Sequence, residues 1–220
     1  MDNNDLTKIA CPACSYEFAA DVVTVLQPND QGLEELLNGQ LNCFECESCE
    51  KAFYYETALL YKDDESSYYV FFNSFYAQIG WEEAEGEMRK QLDVLFSDLD
   101  EDERPECRLT VSRSEFVEKI MIQQCELDDR MVEYLKYHIF NTEHEYDPNR
   151  HQLLFDFSRH DEDNIEFTIF DLAEHKPVGN LRVSMAHYHK FEEIFESENV
   201  TLDMAFGGYY ISVEKLYKNQ

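Results

Sequence analysis

Two Cys-x-x-Cys pairs carry the chemistry that can be read first. Cys11-Pro12-Ala13-Cys14 and Cys46-Glu47-Ser48-Cys49 each suit a tight turn on which two thiols reach one ion. Two such turns brought together make a tetrahedral four-thiolate site, whose geometry and soft ligands favour zinc. One Zn2+ per chain is therefore expected on Cys11, Cys14, Cys46 and Cys49. A closed shell of four thiolates leaves no position for water or substrate, so the ion is expected to hold the fold and do no chemistry. Cys43 complicates the choice, because Cys43-Phe44-Glu45-Cys46 is also a Cys-x-x-Cys and makes Cys43 the alternative ligand. Cys46 and Cys49 are preferred: like the first pair, they are followed by a short polar spacer and an aromatic strand. Cys43 is then expected on the strand running into the turn, as a small buried residue.

Other chemistries find less support. The seven cysteines are an odd number, and the opening Met1-Asp2-Asn3-Asn4-Asp5 lacks the basic start and apolar run of a signal peptide, so a disulfide framework is not expected. No strand-then-helix context marks either pair as a redox motif. Cys107 and Cys125 have no Cys or His at ligand spacing and are expected to be spectators. His187-Tyr188-His189 places two imidazoles near a helix start, and two exposed surface histidines account for it better than a metal site. No His-Glu-x-x-His, Gly-x-Ser-x-Gly, Walker or dinucleotide fingerprint occurs, and seven glycines leave little material for phosphate-cradling loops. No catalytic residue and no organic cofactor is assigned. An enzyme would need a site assembled from residues far apart in the chain.

The elements that must position the thiols follow from periodicity. Tyr16 and Phe18 after the first turn, and Phe53 and Tyr55 after the second, alternate as strands leaving a knuckle should. The interval from Cys14 to Cys46 exceeds the roughly 15–20 residues of a simple twin knuckle, so something is inserted. Leu33, Leu36 and Leu37 recur at i, i+3 and i+4 and predict a short helix there that stops at Gly39. Tyr68–Phe72 reads as a buried strand. Met88, Leu92, Leu95, Phe96 and Leu99 predict an amphipathic helix that breaks into an acidic linker. Asp98, Asp100 and Asp102 imitate the start of a calcium loop, but Glu103 stands where the loop needs Gly and Leu109 where it needs Glu. Residues 112–141 predict an αα-hairpin with stripes on Phe116, Val117, Ile120 and Met121 and on Met131, Leu135 and Ile139. Beyond 152 the period becomes two. Strands are expected at 154–157, 165–169 and 181–185, then a helix around Tyr188–Phe195, then a last strand from Tyr209 to Val213.

The first 62 residues resemble the CpXC domain, a bacterial zinc-ribbon-like module. The resemblance rests on Cys11-Pro12-Ala13-Cys14, on Leu36-Leu37-Asn38-Gly39-Gln40-Leu41-Asn42, on Phe44 with Cys46-Glu47-Ser48-Cys49, and on Leu59-Leu60-Tyr61-Lys62-Asp63. Arg108-Leu109-Thr110-Val111, Phe116-Val117-Glu118-Lys119-Ile120 and Leu127-Asp128-Asp129-Arg130 are similar to the helical segment that often follows this domain. The resemblance implies a metal site and a fold, not an activity. Two departures stand out: Glu50 occupies a position where such ribbons commonly carry Gly, and Cys43 is an additional thiol. The expected fold class is α+β, with an N-terminal zinc-ribbon-like module bearing a helical insert, an αα-hairpin, and a small C-terminal antiparallel sheet with a packed helix. The segments are drawn as 1–76, a CpXC zinc-ribbon-like domain; 77–145, a helical region with an acidic linker; and 146–220, an α+β domain.

Charge sets the expected partners. The 220 residues carry 18 Lys and Arg against 47 Asp and Glu, a formal net charge of −29. With 44% hydrophobic and 14% aromatic residues this is a folded acidic protein, not a disordered tail. The charge opposes duplex DNA, whose phosphates need Lys and Arg to displace counterions, and it opposes docking on anionic lipid. No apolar stretch reaches the roughly 18–20 residues of a spanning helix. The expected picture is a cytoplasmic, zinc-binding interaction or adaptor module whose partner is a protein with a basic surface. The alternatives are an acidic regulator that imitates nucleic acid toward a DNA- or RNA-binding protein, and an enzyme whose site is not visible in sequence.

Overall fold

The computed structural model describes residues 6–198 and 202–218; the opening Met1-Asp2-Asn3-Asn4-Asp5 lies outside them. Backbone packing groups the chain into two units. The first runs to Ala84 and takes in Arg89–Arg113, and the second holds Glu85–Met88 and the chain from Ser114 onward. Segment 1–76 falls in the first unit and 146–220 in the second, while 77–145 is divided between them. The protein is mixed α+β, with several sheets and eight α-helices among the described residues. No helix among them is long and apolar enough to cross a membrane.

In the first unit, β1 (Thr7–Ala10) and β2 (Glu17–Ala20) pair antiparallel around the first cysteine turn, with Ala10 opposite Glu17. The chain then passes through β3 (Val25–Leu26) into α1 (Gln31–Leu37), the insert helix. Asp30 caps α1: its carboxylate accepts the Leu33 N–H at 2.8 Å, satisfying a donor that the first turn leaves without an intrahelical partner. Leu33 and Leu36 are buried, Leu37 is partly exposed, and Gly39 leaves the helix at φ 68°, where a Cβ would be strained. Buried Asn42 then ties the insert down. Its side chain accepts from Val23 N and donates to Val23 O, both at 2.9 Å. β4 (Cys43–Glu45) and β5 (Ala52–Tyr54) pair antiparallel around the second cysteine turn.

A second sheet in this unit has the order β3-β6-β7-β8, formed with β6 (Leu59–Asp63), β7 (Tyr68–Phe72) and β8 (Glu106–Thr110). β6 and β7 are antiparallel, and β3 and β8 add to them in parallel. β7 is where a strand was expected, but it buries one face, through Tyr68, Val70 and Phe72, with half-buried residues between. β8 corrects the reading of Arg108-Leu109-Thr110-Val111 as part of a helical segment. The open edge of β7 supplies backbone partners to this stretch, Thr110 Oγ1 donates to Phe71 O at 3.0 Å, and the Arg108 guanidinium lies over the Tyr68 ring. Tertiary pairing overrides local preference here. Between β7 and β8 come α2 (Tyr76–Ile79) and α3 (Trp81–Leu95). On α3, Met88 and Leu92 are buried, but Leu95, expected on the same face, is 62% exposed. Residues 97–103, the acidic linker, are exposed.

From Ser114 onward the second unit holds α4 (Arg113–Gln124) and α5 (Asp129–Thr142), joined at Asp128, whose carboxylate accepts the Arg130 N–H at 2.8 Å. The expected stripes are buried at Phe116, Ile120, Met131, Leu135 and Ile139. So are five charges that the stripes do not account for: Glu118, Lys119, Asp129, Glu133 and Lys136. β9 (His151–Phe155), β10 (Asn164–Asp171) and β11 (Lys176–Ser184) form an antiparallel sheet in the order β11-β10-β9. α6 (Met185–Glu198) follows and packs Phe191 and Phe195 edge-on against Tyr134 of α5, at 5.2 and 4.9 Å. After α7 (Leu202–Phe206) the expected strand at Tyr209–Val213 does not form. The N–H groups of Tyr209 and Tyr210 both go to Glu85 Oε1, the Tyr210 hydroxyl goes to Glu115 at 3.0 Å, and the chain turns into α8 (Val213–Lys218). A carboxylate takes the donors that a neighbouring strand would have taken.

Candidate metal centre

The two cysteine turns share one backbone plan. In the first, Cys11 N donates to Tyr16 O at 2.9 Å and Ser15 N to Cys11 O at 2.8 Å. In the second, Cys46 N donates to Lys51 O at 3.0 Å and Glu50 N to Cys46 O at 2.8 Å. The leading thiol of each pair is buried, while Cys14 is exposed and Cys49 half-buried. Aromatic side chains join the two hairpins: Phe18 of β2 meets Phe53 of β5 edge-on at 6.2 Å, and Phe53 also meets Phe44 of β4.

This arrangement brings Cys11, Cys14, Cys46 and Cys49 together, with all four sulfurs within 4.8 Å of one another. Across the two turns, Cys11 and Cys49 lie 3.7 Å apart and Cys14 and Cys46 3.6 Å. Zn–S bonds of about 2.3 Å give a tetrahedron with edges of about 3.8 Å, so these separations fit one ion between four thiolates. They are far from the roughly 2.05 Å of a disulfide, and all seven cysteines are free. Ionisation points the same way. Burial opposes a charge on Cys11, but the Ala13 and Cys14 N–H groups and the neighbouring thiols bring it down to about 7. Cys49 accepts a hydrogen bond from the Lys51 backbone N–H that favours its thiolate, yet desolvation and the three other thiols push it up to about 12. One thiolate forms readily and the last does not, as expected of clustered like charges that need a cation among them.

Cys43 lies on β4 as expected, but it is exposed, not buried; its thiol donates to Gly39 O at 3.5 Å, outside the cluster. Cys107 is buried on β8 and Cys125 is half-buried in the turn just past α4. His187 and His189 are both exposed on α6, and His189 Nδ1 lies 2.8 Å from Glu192. The residue after each pair has a left-handed backbone: Ser15 at φ 61° and Glu50 at φ 57°. This explains why Gly suits the second of these positions. A side chain in this region costs roughly 1–2 kcal/mol, part of which Gly returns through its looser unfolded chain. Glu50→Gly is therefore expected to stabilise the metal-loaded protein by about 0.5–1 kcal/mol in denaturant titration. A loss of stability would mean that the Glu50 side chain contributes more than its backbone strain costs.

Sequence reasoning missed the Asn42 clamp and the buried charges of α4 and α5. A signal for the charges existed: Glu118-Lys119 sits between Phe116 and Ile120, and Glu133 lies two residues from Met131 and Leu135.

Two hairpins that converge four thiols define a protein built around a four-cysteine cluster compatible with zinc. The chain belongs to the CpXC family, whose sequence model, described as CpXC protein, matches residues 9–136. The match takes in both cysteine pairs, the β6–β8 region, α4 and the first half of α5. No curated protein and no solved structure matches the chain.

Proposed function

We propose that the chain is a cytoplasmic zinc-ribbon-like interaction module, in which one Zn2+ on Cys11, Cys14, Cys46 and Cys49 is structural and catalyses nothing. The observation that carries this reading is the spacing of the sulfurs, within 4.8 Å and all supplied by the protein. Four thiolates fill a tetrahedral shell and leave no position for water or substrate. The partner is a protein with a basic surface, because a net charge of −29 steers such a surface inward and repels anionic ones. The test is co-purification from the native host at low and high salt, with wild type and with Cys11→Ser. A protein partner captured at low salt by wild type alone, and released as salt rises, supports the module. Turnover of a small molecule that is abolished by Cys11→Ser overturns it.

Duplex DNA is not bound on this reading. Residues 1–62 hold three bases, Lys8, Lys51 and Lys62, against eleven acids. Exposed Glu45, Glu47 and Glu50 flank the second turn, inside the roughly 8 Å over which charges are felt at physiological salt. Lys8 is engaged by Glu17, and Lys62 pairs with Asp64 at 2.9 Å. A gel-shift titration with micromolar protein at physiological salt is expected to show no complex. A shift that weakens steeply as salt rises would reveal a basic surface.

A further inference from the structure

The second unit contains a cavity of about 580 Å³ between α4, α5, β9 and α8, within the range of small-molecule sites. Its floor is ionic. Lys136 Nζ lies 2.8 Å from Glu118 and 2.9 Å from Glu133, and Lys119 Nζ lies 3.0 Å from Glu133 and 3.4 Å from Asp129. Each of these five side chains is at least nine-tenths buried. Two backbone N–H groups, one at the end of β9 and one at the start of α8, complete the set: Phe155 N donates to Glu118 and Val213 N to Glu133. The sides are apolar and aromatic, with Leu153, Leu172, Ile211, Phe140 and Tyr217; the last two rings meet edge-on at 6.2 Å.

The charges here do not cancel. Among the described lining residues, Glu118, Glu133 and Glu214 face two cations, Lys119 and Lys136, while Glu115 is engaged by the Tyr210 hydroxyl. Both ammoniums already bridge two carboxylates, so an anionic ligand would have to break an existing pair. A cationic ligand meets surplus negative charge and π faces suited to it. Burial pushes the Lys136 ammonium toward neutrality, but Glu118 and Glu133 outweigh it and hold the charge on, so the lysine is an ion and not a free amine nucleophile.

We infer that this cavity binds a small organic cation, an amine with an apolar body, between the Glu118–Glu133 floor and the Phe140 and Tyr217 rings. The ammonium lies toward exposed Glu214 at the mouth and the apolar body lies against Leu153 and Ile211. The site is separate from the cysteine cluster and does not depend on the metal reading.

The test is backbone-amide NMR on the full zinc-loaded chain, titrated with phenethylamine and 1,5-diaminopentane, and with 3-phenylpropionate and 2-phenylethanol as the matched anion and neutral compound. At least one amine is expected to give saturable shifts at Phe155 and Val213 below about 10 mM, about tenfold tighter than the alcohol, with none from the carboxylate. Glu214→Gln, at an exposed position, is expected to weaken the amine about threefold without moving the thermal midpoint. No saturable shift from either amine would make the cluster purely structural and overturn the inference. Equal or tighter binding of the carboxylate would overturn it as well, by showing that the lysines recruit the ligand.

Discussion

Protein purified without added metal is expected to carry about one equivalent of zinc, and to lose it when any one of the four clustered thiols is replaced. Cys14→Ser and Cys49→Ser test the outer pair, which are the more exposed and the less tied to packing. Cys43→Ser is expected to keep full occupancy, because that thiol is exposed and turned to Gly39 O. If Cys43→Ser loses zinc while Cys49→Ser retains it, the ligand set is wrong. The energetic effect should be large. The hairpins around the thiols are strands of three or four residues, and a core this small cannot offset chain entropy alone. Structural zinc in small modules contributes about 10–16 kcal/mol of apparent folding free energy near neutral pH. Chelation should therefore raise hydrogen exchange first in β1, β2, β4 and β5. β9–β11 belong to the other unit, with their own buried Leu153, Ile165, Phe167 and Ile169, and should keep their protection. Uniform loss of protection across the chain would show one cooperative unit.

What was legible in the sequence was what local chemistry determines. Thiol spacing marked the cluster, the Leu33/Leu36 period marked α1, and alternation marked β9, β10 and β11. Each depends on residues close in the chain. The misreadings share the opposite property. β8 is a strand because β7 offers it an edge, and Tyr209–Val213 is not a strand because Glu85 takes the Tyr209 and Tyr210 N–H groups. In both cases the deciding partner lies far away in the chain. Cys43 lies on the expected strand but on its exposed face. A three-residue strand such as β4 has too short an alternation to show which side is covered. Buried Glu118, Lys119, Glu133 and Lys136 are hard to read for a related reason: their places beside the apolar stripes hint at burial, but each looks like solvent-facing polarity until its partner on the other helix is known.

Those buried charges make the second large expected effect. Glu133 accepts from Lys119, Lys136 and Val213 N, so Glu133→Ala takes one of its two carboxylates from each ammonium and leaves one N–H without its acceptor. Breaking a buried ion network from one side costs about 3–5 kcal/mol, because three carboxylates that served two ammoniums are reduced to two and each lysine keeps a single partner, Asp129 or Glu118. For a chain of this length that lowers the thermal midpoint by on the order of 10 °C. Replacing the whole cluster by apolar residues of similar size would be far milder, since the desolvation of every charge is then removed together with its partner. The sign of the pH dependence follows from how each group is held. Burial alone would raise the Glu133 carboxyl, but Lys119 and Lys136 outweigh it and hold it below the usual range. Its contribution is thus fully present above the unfolded value of about 4.3 and is lost as pH falls through the lower folded value. The Lys136 ammonium is held above its usual range by Glu118 and Glu133, so its contribution is complete below about 10.4 and is lost only as pH rises through the higher folded value. The stability difference between wild type and Glu133→Gln, measured by urea titration, should therefore be level from about pH 5 to pH 9 and shrink in acid below about pH 4. A difference that instead grows on acidification would mean that Glu133 is protonated in the native protein and that the two lysines are neutralised by Glu118 and Asp129 alone.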